Sequence, residues 1–259
     1  MFDLTGMTAL VTGASGGIGS AICQALAAQG ARLAVSGSNV DKLEAFRASL
    51  GGDHVAVPCD LGDKDSVEAL VPAALEKLGQ IDILVNNAGY GLSGPFTKYS
   101  AEAHIEMMRV NMEVPVALTA ALLPMLTKNA PAYILNVASS AAYQAVPGLT
   151  AYAASKSFVL SFSRGLRHEL KNSRVSVTAV SPGSTDTNFA NRADVGVKAL
   201  KTAEKVNMTP EAVAAIAVTA LFNKKPEVIT GFVNQLGAFL VWLLPKKLAE
   251  SIAASLYGL

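Results

Sequence analysis

Six short runs of aliphatic and β-branched residues recur along the chain, and after all but the last comes a stretch with helical patterning. They are TALVTG (8–13), RLAVSGS (32–38), HVAVPCD (54–60), IDILVNNAG (81–89), AYILNVAS (132–139) and RVSVTAVSPG (174–183). A strand apolar at successive positions is buried on both faces, and an intervening helix returns the chain to start a parallel neighbour. The alternation therefore predicts an α/β fold, a parallel sheet with helices on both sides. The long helix near 100–128 is expected to bend at Pro115, which has no amide proton to donate. Asp63 or Asp65 is expected to cap the helix that follows the third strand. No repeat, linker or biased tract interrupts the chain before residue 225, so residues 1–225 are read as one domain and 226–259 as an extension of it.

With 51% hydrophobic residues in 259, the chain can bury a large core. A net charge of +1 argues against nucleic acid as its main partner. Cys23 and Cys59 fit small core residues in a reducing compartment better than metal ligands, and no metal site is expected. The opening MFDLTGMTALVTG lacks the basic-then-apolar order of a secretory signal, so a cytoplasmic enzyme is expected.

In such sheets ligands bind beyond the carboxyl ends of the strands. The notable residues of this chain fall there. Thr12, Gly13, Gly17 and Gly19 of TGASGGIG lie between the first strand and its helix. Glycines there let the backbone approach a pyrophosphate, whose charge the helix N-terminus favours. A glycine-rich turn is equally a plain tight turn, and Asp60 and the NNAG of 86–89 are equally caps or turns. Their convergence on one crevice favours a nucleotide. Asp60 is then placed to accept from an adenine amino group. Tyr152 and Lys156 of AYAASKS stand four apart and share a helical face. A tyrosine with its ordinary pKa of about 10 is a poor reversible acid at neutral pH, and a neighbouring ammonium lowers that value.

With Ser139 thirteen residues before Tyr152, the ordered set resembles the short-chain dehydrogenase/reductase family over about residues 5–190. The resemblance implies a single-domain Rossmann-type, doubly wound sheet and an NAD(P)-dependent oxidoreductase acting on a carbonyl or secondary alcohol. It implies a catalytic set of Asn111, Ser139, Tyr152 and Lys156, with Tyr152 as acid and base, Ser139 on the substrate oxygen and Asn111 holding a water. Lys156 would also hold the ribose. Cofactor contacts are implied at Gly13, Ser15, Gly17, Ile18 and Gly19 in the first turn, and at Ser36, Ser38 and Asn39 after the second strand. Asp60 and Leu61, then Asn87, Ala88 and Gly89, would follow. Pro182, Gly183, Thr185 and Thr187 of SPGSTDT would meet the nicotinamide end. No acid stands at the end of the second strand to select the ribose hydroxyl of NAD, so NADP is expected, with NAD usable. Residues 1–89 look like the β-ketoacyl-[acyl-carrier-protein] reductase branch, while the remainder looks like broad-specificity ketone and steroid-type reductases. The family also implies a dimer or tetramer through the helices near 101–128 and 152–171.

The ending reads differently. Residues 226–245 are nearly uncharged but interrupted by Asn234, Gln235 and two glycines. The stretch is marginal as a membrane span. It is expected to be buried over the substrate cleft or against a subunit, with an interfacial membrane contact beside Trp242, Lys246 and Lys247 as the alternative.

Overall fold

The computed structural model describes residues 2–129, 131–187, 189–196 and 207–257. Seven parallel strands form one sheet in the order β3-β2-β1-β4-β5-β6-β7. They are β1 (Thr8–Thr12), β2 (Arg32–Gly37), β3 (Val55–Pro58), β4 (Ile83–Asn86), β5 (Ala132–Val137), β6 (Val175–Ser181) and β7 (Glu227–Ile229). Among the described residues the helices are α1 (Gly17–Ala27), α2 (Val40–Ser49), α3 (Lys64–Leu78), α4 (Ala101–Met108), α5 (Val114–Lys128), α6 (Thr150–Glu169), the short α7 (Phe189–Arg192), α8 (Pro210–Phe222), α9 (Phe232–Leu243) and α10 (Lys246–Tyr257).

Side chains alternate across each strand, which explains the unbroken apolar runs. Ala9, Val11, Leu33, Val35, Ile83 and Val85 face α1, α2 and α8, whose Ile22, Leu26, Leu43, Ala217 and Leu221 close that core. Leu10, Ala34, Leu84 and Ile134 point the other way, against Leu70 and Ala74 of α3 and Leu118 and Leu122 of α5. From β1 the chain winds outward through β2 and β3, then returns to place β4 on the other side of β1. The crevice at the carboxyl ends of β1 and β4 is thus the topological switch point.

Local chemistry sets the helix ends. Asp63, rather than Asp65, caps α3, its Oδ2 accepting from Ser66 N at 3.0 Å. Between α4 and α5 the backbone loosens into a π turn, Arg109–Glu113, where Val114 N reaches back to Arg109 O. Pro115 follows at once and brings no amide to that turn. The stretch Ala101–Lys128 is long and apolar enough to cross a membrane. Here it is a core element, with Leu118, Leu122 and Leu126 buried on the sheet.

Two elements were not read from the sequence. Helix α8 is capped by Thr209, whose Oγ1 accepts from Ala212 N at 3.2 Å, and starts on Pro210; its small residues pack closely against α1. Strand β7 begins the segment read as an uncharged extension. Its Glu227 meets the Tyr143 hydroxyl and accepts from Arg164 Nε at 2.7 Å. The sheet therefore runs past residue 225, into the segment 226–259. Beyond it, the apolar ending is partly covered at Asn234, Ala238 and Val241. No residue of α9 is fully buried.

Candidate active site

The turn after β1 is held from behind. Thr12 Oγ1 accepts from Asn87 N and Ala88 N, each at 3.2 Å, and donates to Val85 O. Asn87 Nδ2 donates to Thr12 O at 3.0 Å and Gly13 O at 3.2 Å. The Asn87 side chain and the amides of Asn87 and Ala88 are thus spent on shaping the turn. Gly13 has φ +62°, a left-handed value that favours glycine. A Cβ on Gly19 would lie 2.2 Å from Gly13 O, so only glycine lets α1 start this close to the turn. A Cβ on Gly17 would lie 2.2 Å from Thr187 Cγ2, so the segment after β6 crosses the same turn. The first amides of α1, at Gly17, Ile18 and Gly19, have no carbonyl one turn back to serve. Such a glycine cradle at a helix N-terminus fits a pyrophosphate.

On the adenosine side the positions divide. Asp60 is exposed two residues past β3, with Oδ1 accepting from Gly62 N at 2.9 Å, and Leu61 packs on the α3 core. Ser15 Oγ lies 3.5 Å from where a Gly37 Cβ would stand, so the turn and the end of β2 touch. Ser38 and Asn39 are exposed beside them, but Asn39 Oδ1 caps α2 by accepting from Lys42 N at 2.8 Å, leaving only its amide to donate. Ser36, one residue before the end of β2, has its hydroxyl buried and bonded to no described residue.

Around α6 the catalytic candidates converge. Tyr152 and Lys156 are buried on one face of the helix, with Lys156 Nζ 5.9 Å from the Tyr152 ring centre. Lys156 Nζ donates to Val137 O at 2.9 Å. A Cβ on Gly89 would meet Asn111 Oδ1 at 2.9 Å and Lys156 Nζ at 3.2 Å, so both groups close on that glycine. Asn111 lies in the π turn, where its amide clamps Tyr90: Nδ2 donates to Tyr90 O at 2.9 Å and Oδ1 accepts from Tyr90 N at 3.1 Å. Nδ2 also donates to Ser155 Oγ at 2.9 Å, and Ser155 Oγ donates to Tyr152 O at 2.7 Å. Ser155 was not singled out by sequence, yet it links Asn111 to the helix that carries Tyr152. Its small size inside Tyr-Ala-Ala-Ser-Lys hid it. Ser139 lies two residues past β5 and caps a 3-10 turn, Ser140–Tyr143, with Oγ accepting from Ala141 N at 3.1 Å. Its hydroxyl proton is not used in that contact.

The Tyr152 ring rests 5.3 Å from the Phe189 ring, and Gly91 leaves the space both occupy. Ser140 N donates to Pro182 O at 2.7 Å, which ties the Ser139 turn to the Pro-Gly segment. Thr185 Oγ1 turns back to Gly183 O at 3.2 Å, while Thr187 Oγ1 accepts from Phe189 N at 3.2 Å. The sequence marked Asn234 of α9 only as an interruption of the apolar run. Its side chain fills the space in front of Gly183, 2.1 Å from where a Cβ would stand.

Lys156 is 4% exposed, and burial pushes its ammonium down to about 8 from an ordinary 10.5. Above about pH 8 the folded chain sheds this proton while the unfolded chain keeps it until about 10.5. The unfolded state then binds more protons, so stability from this group is lost below about pH 8 and rises through that window. At about 1.4 kcal/mol per pH unit the difference is about 3 kcal/mol. Denaturant unfolding of the parent and of Lys156→Met from pH 7 to 10.5 should show the parent gaining on the variant by that amount. Parallel curves would mean that the ammonium is not desolvated.

Residues 7–197 match the family model for short chain dehydrogenase. Nodulation protein G of Rhizobium sp. (strain N33) is 40% identical over 183 residues, 71% of this chain and 75% of that protein. The fold is similar to that of a short chain dehydrogenase/reductase from Burkholderia phymatum in complex with NAD, at TM-score 0.84 and 25% identity, covering 94% of this chain and 95% of the other. A short chain dehydrogenase from Burkholderia cenocepacia J2315 in complex with NADP aligns at TM-score 0.78 and 29% identity, covering 88% of this chain and 97% of the other.

Proposed function

The chain belongs to the short-chain dehydrogenase family and is an NAD(P)-dependent oxidoreductase, and from that premise we propose that Tyr152, Lys156, Ser139 and Asn111 interconvert a carbonyl and a secondary alcohol. The observation that carries this reading is the convergence of Lys156 and Asn111 on Gly89, with Tyr152 on the same face of α6. A dinucleotide held across the ends of β1 and β4 would supply or take up the hydride. Tyr152 gives the proton to the substrate oxygen, or removes it in the reverse direction. The Ser139 hydroxyl donates to that oxygen. Lys156, charged at neutral pH, favours the Tyr152 phenolate and reaches the ribose hydroxyls. Asn111 and the opened π turn hold the water that resupplies the proton. Gly13, Ser15, Gly17, Ile18 and Gly19 would hold the pyrophosphate, Asp60 and Leu61 the adenine, and Pro182, Gly183, Thr185 and Thr187 the nicotinamide. A panel of ketones, aldehydes, acetoacetyl thioesters and steroids, read by cofactor absorbance, tests the reading and separates a ketone reductase from a ketoacyl thioester reductase. Silence across the panel in both directions would count against it.

Cofactor choice follows from what surrounds the ribose. No carboxylate stands among Ser36, Gly37, Ser38 and Asn39 to repel a 2′-phosphate. The donors that remain are Ser38, the Asn39 amide and Lys42, all exposed. A hydrogen bond to a charged group is worth roughly 1.5–3 kcal/mol, less in solvent. We expect NADP to be preferred about tenfold in kcat/KM, about 1.4 kcal/mol, with NAD usable. Gly16 is exposed, and a Cβ there meets nothing nearer than 3.4 Å, so Gly16→Arg should fit and widen the preference. Steady-state kinetics with both cofactors checks this, and a strong NAD preference in the parent would contradict it. The buried free thiols of Cys23 and Cys59 suit work in the cytoplasm. A homodimer or tetramer through α5 and α6, which expose Val116 and Phe158, completes the proposal; its mass in light scattering would be at least twice that of one chain.

A further inference from the structure

Helix α9 is built inside out. Its partly covered side carries Asn234, Ala238 and Val241, while Phe232, Leu236, Phe239, Leu240 and Leu243 point to solvent at helical spacing. Phe232 and Trp242 are 75% and 78% exposed, and Trp242 stacks on Phe239 at 6.2 Å. Helix α10 repeats the arrangement, turning Ala249 and Ala253 inward and Leu248 and Ile252 outward. A helix that turns its small residues towards the protein and presents its large apolar ones is not completing its own core.

We propose that the exposed face of α9 and α10 docks flat on an anionic lipid bilayer. Twelve residues make a helix of about 18 Å, too short for a hydrocarbon core of about 30 Å, so the pair lies in the interface and does not span. The charge fits that surface. Lys246 and Lys247 are exposed at the junction beside Trp242, no acid occurs from Val228 to Ala249, and Glu250 is the single acid of the two helices. An aromatic girdle with lysines is the pattern of an interfacial helix, whose cations meet anionic headgroups. A second copy fits less well, because a two-fold contact sets the same net positive patch against itself. The face is also joined to the active site, since Asn234 packs on Gly183 and hydrogen-bonds Thr230 O at 2.8 Å. Docked this way, the enzyme opens its cleft towards the bilayer, which suits apolar carbonyl substrates. The docking does not depend on the catalytic assignment.

Trp242 is the chain's single tryptophan, so its emission reports on this face alone. The full chain is titrated with vesicles of phosphatidylglycerol and phosphatidylcholine, or of phosphatidylcholine alone, with co-sedimentation in parallel. The expected result is a blue shift and sedimentation with the anionic vesicles, reversed by salt. Lys246→Glu with Lys247→Glu should weaken that binding roughly tenfold or more. Leu236→Asp with Phe239→Asp should abolish it and leave turnover of a soluble substrate unchanged. Three results overturn the proposal: no binding to anionic vesicles, equal binding to both vesicle types, or a lipid-free blue shift that follows a concentration-dependent mass. The last would assign the face to a second copy.

Discussion

Tyr152→Phe should lower turnover by about 10²–10⁴-fold while leaving cofactor affinity close to that of the parent. The substitution deletes one oxygen and nothing else that the packing uses. The ring keeps its place against Phe189 and in the space left by Gly91, and its neighbours Met107, Val146 and Leu149 are apolar. The fold should therefore survive the change. Stopped-assay kinetics with a cofactor titration separate the effects. A loss of less than tenfold would remove Tyr152 from the role of proton donor. Lys156→Ala should differ in kind, lowering turnover and cofactor affinity together, because that ammonium serves both the phenol and the ribose.

Gly19→Ala should lower both stability and cofactor affinity, although alanine is the better helix former by about 1 kcal/mol. Gly19 lies inside α1, so propensity alone predicts a gain. The close approach of the two backbones reverses the sign. The added methyl would stand 2.2 Å from Gly13 O and 2.5 Å from Asn87 Nδ2, and the first of these is backbone that cannot rotate away. Overpacking of this kind costs typically 1–3 kcal/mol. Relief comes only by lifting α1 off the turn, which also moves the amides that would hold the pyrophosphate. We expect a lower Tm and cofactor binding weakened by tenfold or more. Gly16→Ala, three residues earlier, has ordinary room and should be nearly neutral. If both variants matched the parent, the close approach of α1 to the turn would not exist in solution.

The sheet was legible because its strands are buried on both faces and end on glycine or polar residues, as in TALVTG and NNAG. The bend near Pro115 was legible for a chemical reason, the missing amide, and it coincides with the π turn that carries Asn111. What stayed hidden depends on direction rather than identity. Strand β7 is three residues long within an apolar run, too short for a period to appear. Ser36 and Ser38 look alike in sequence, but one points into packed side chains and the other into solvent. Asn39 resembles a phosphate donor, yet its oxygen is taken by the start of α2, a capping role open to any asparagine before a helix. The apolar spacing of α9 is plain in the chain, but spacing cannot say which side of a helix meets the protein. Ser155 was invisible for want of a partner in sequence; Asn111 lies forty-four residues away.

The central claim, that this crevice moves a hydride between nicotinamide and a carbonyl with Tyr152 supplying the proton, is tested most directly by isotope transfer. Reduced cofactor deuterated at the nicotinamide C4 is incubated with the parent and a panel of carbonyl compounds, and the alcohols are read by mass spectrometry. The account predicts one deuterium on the former carbonyl carbon of at least one product, formed at least a hundredfold more slowly by Tyr152→Phe at equal cofactor occupancy. Cofactor bound with no deuterium transferred to any carbonyl, or transfer as fast in Tyr152→Phe as in the parent, would contradict it.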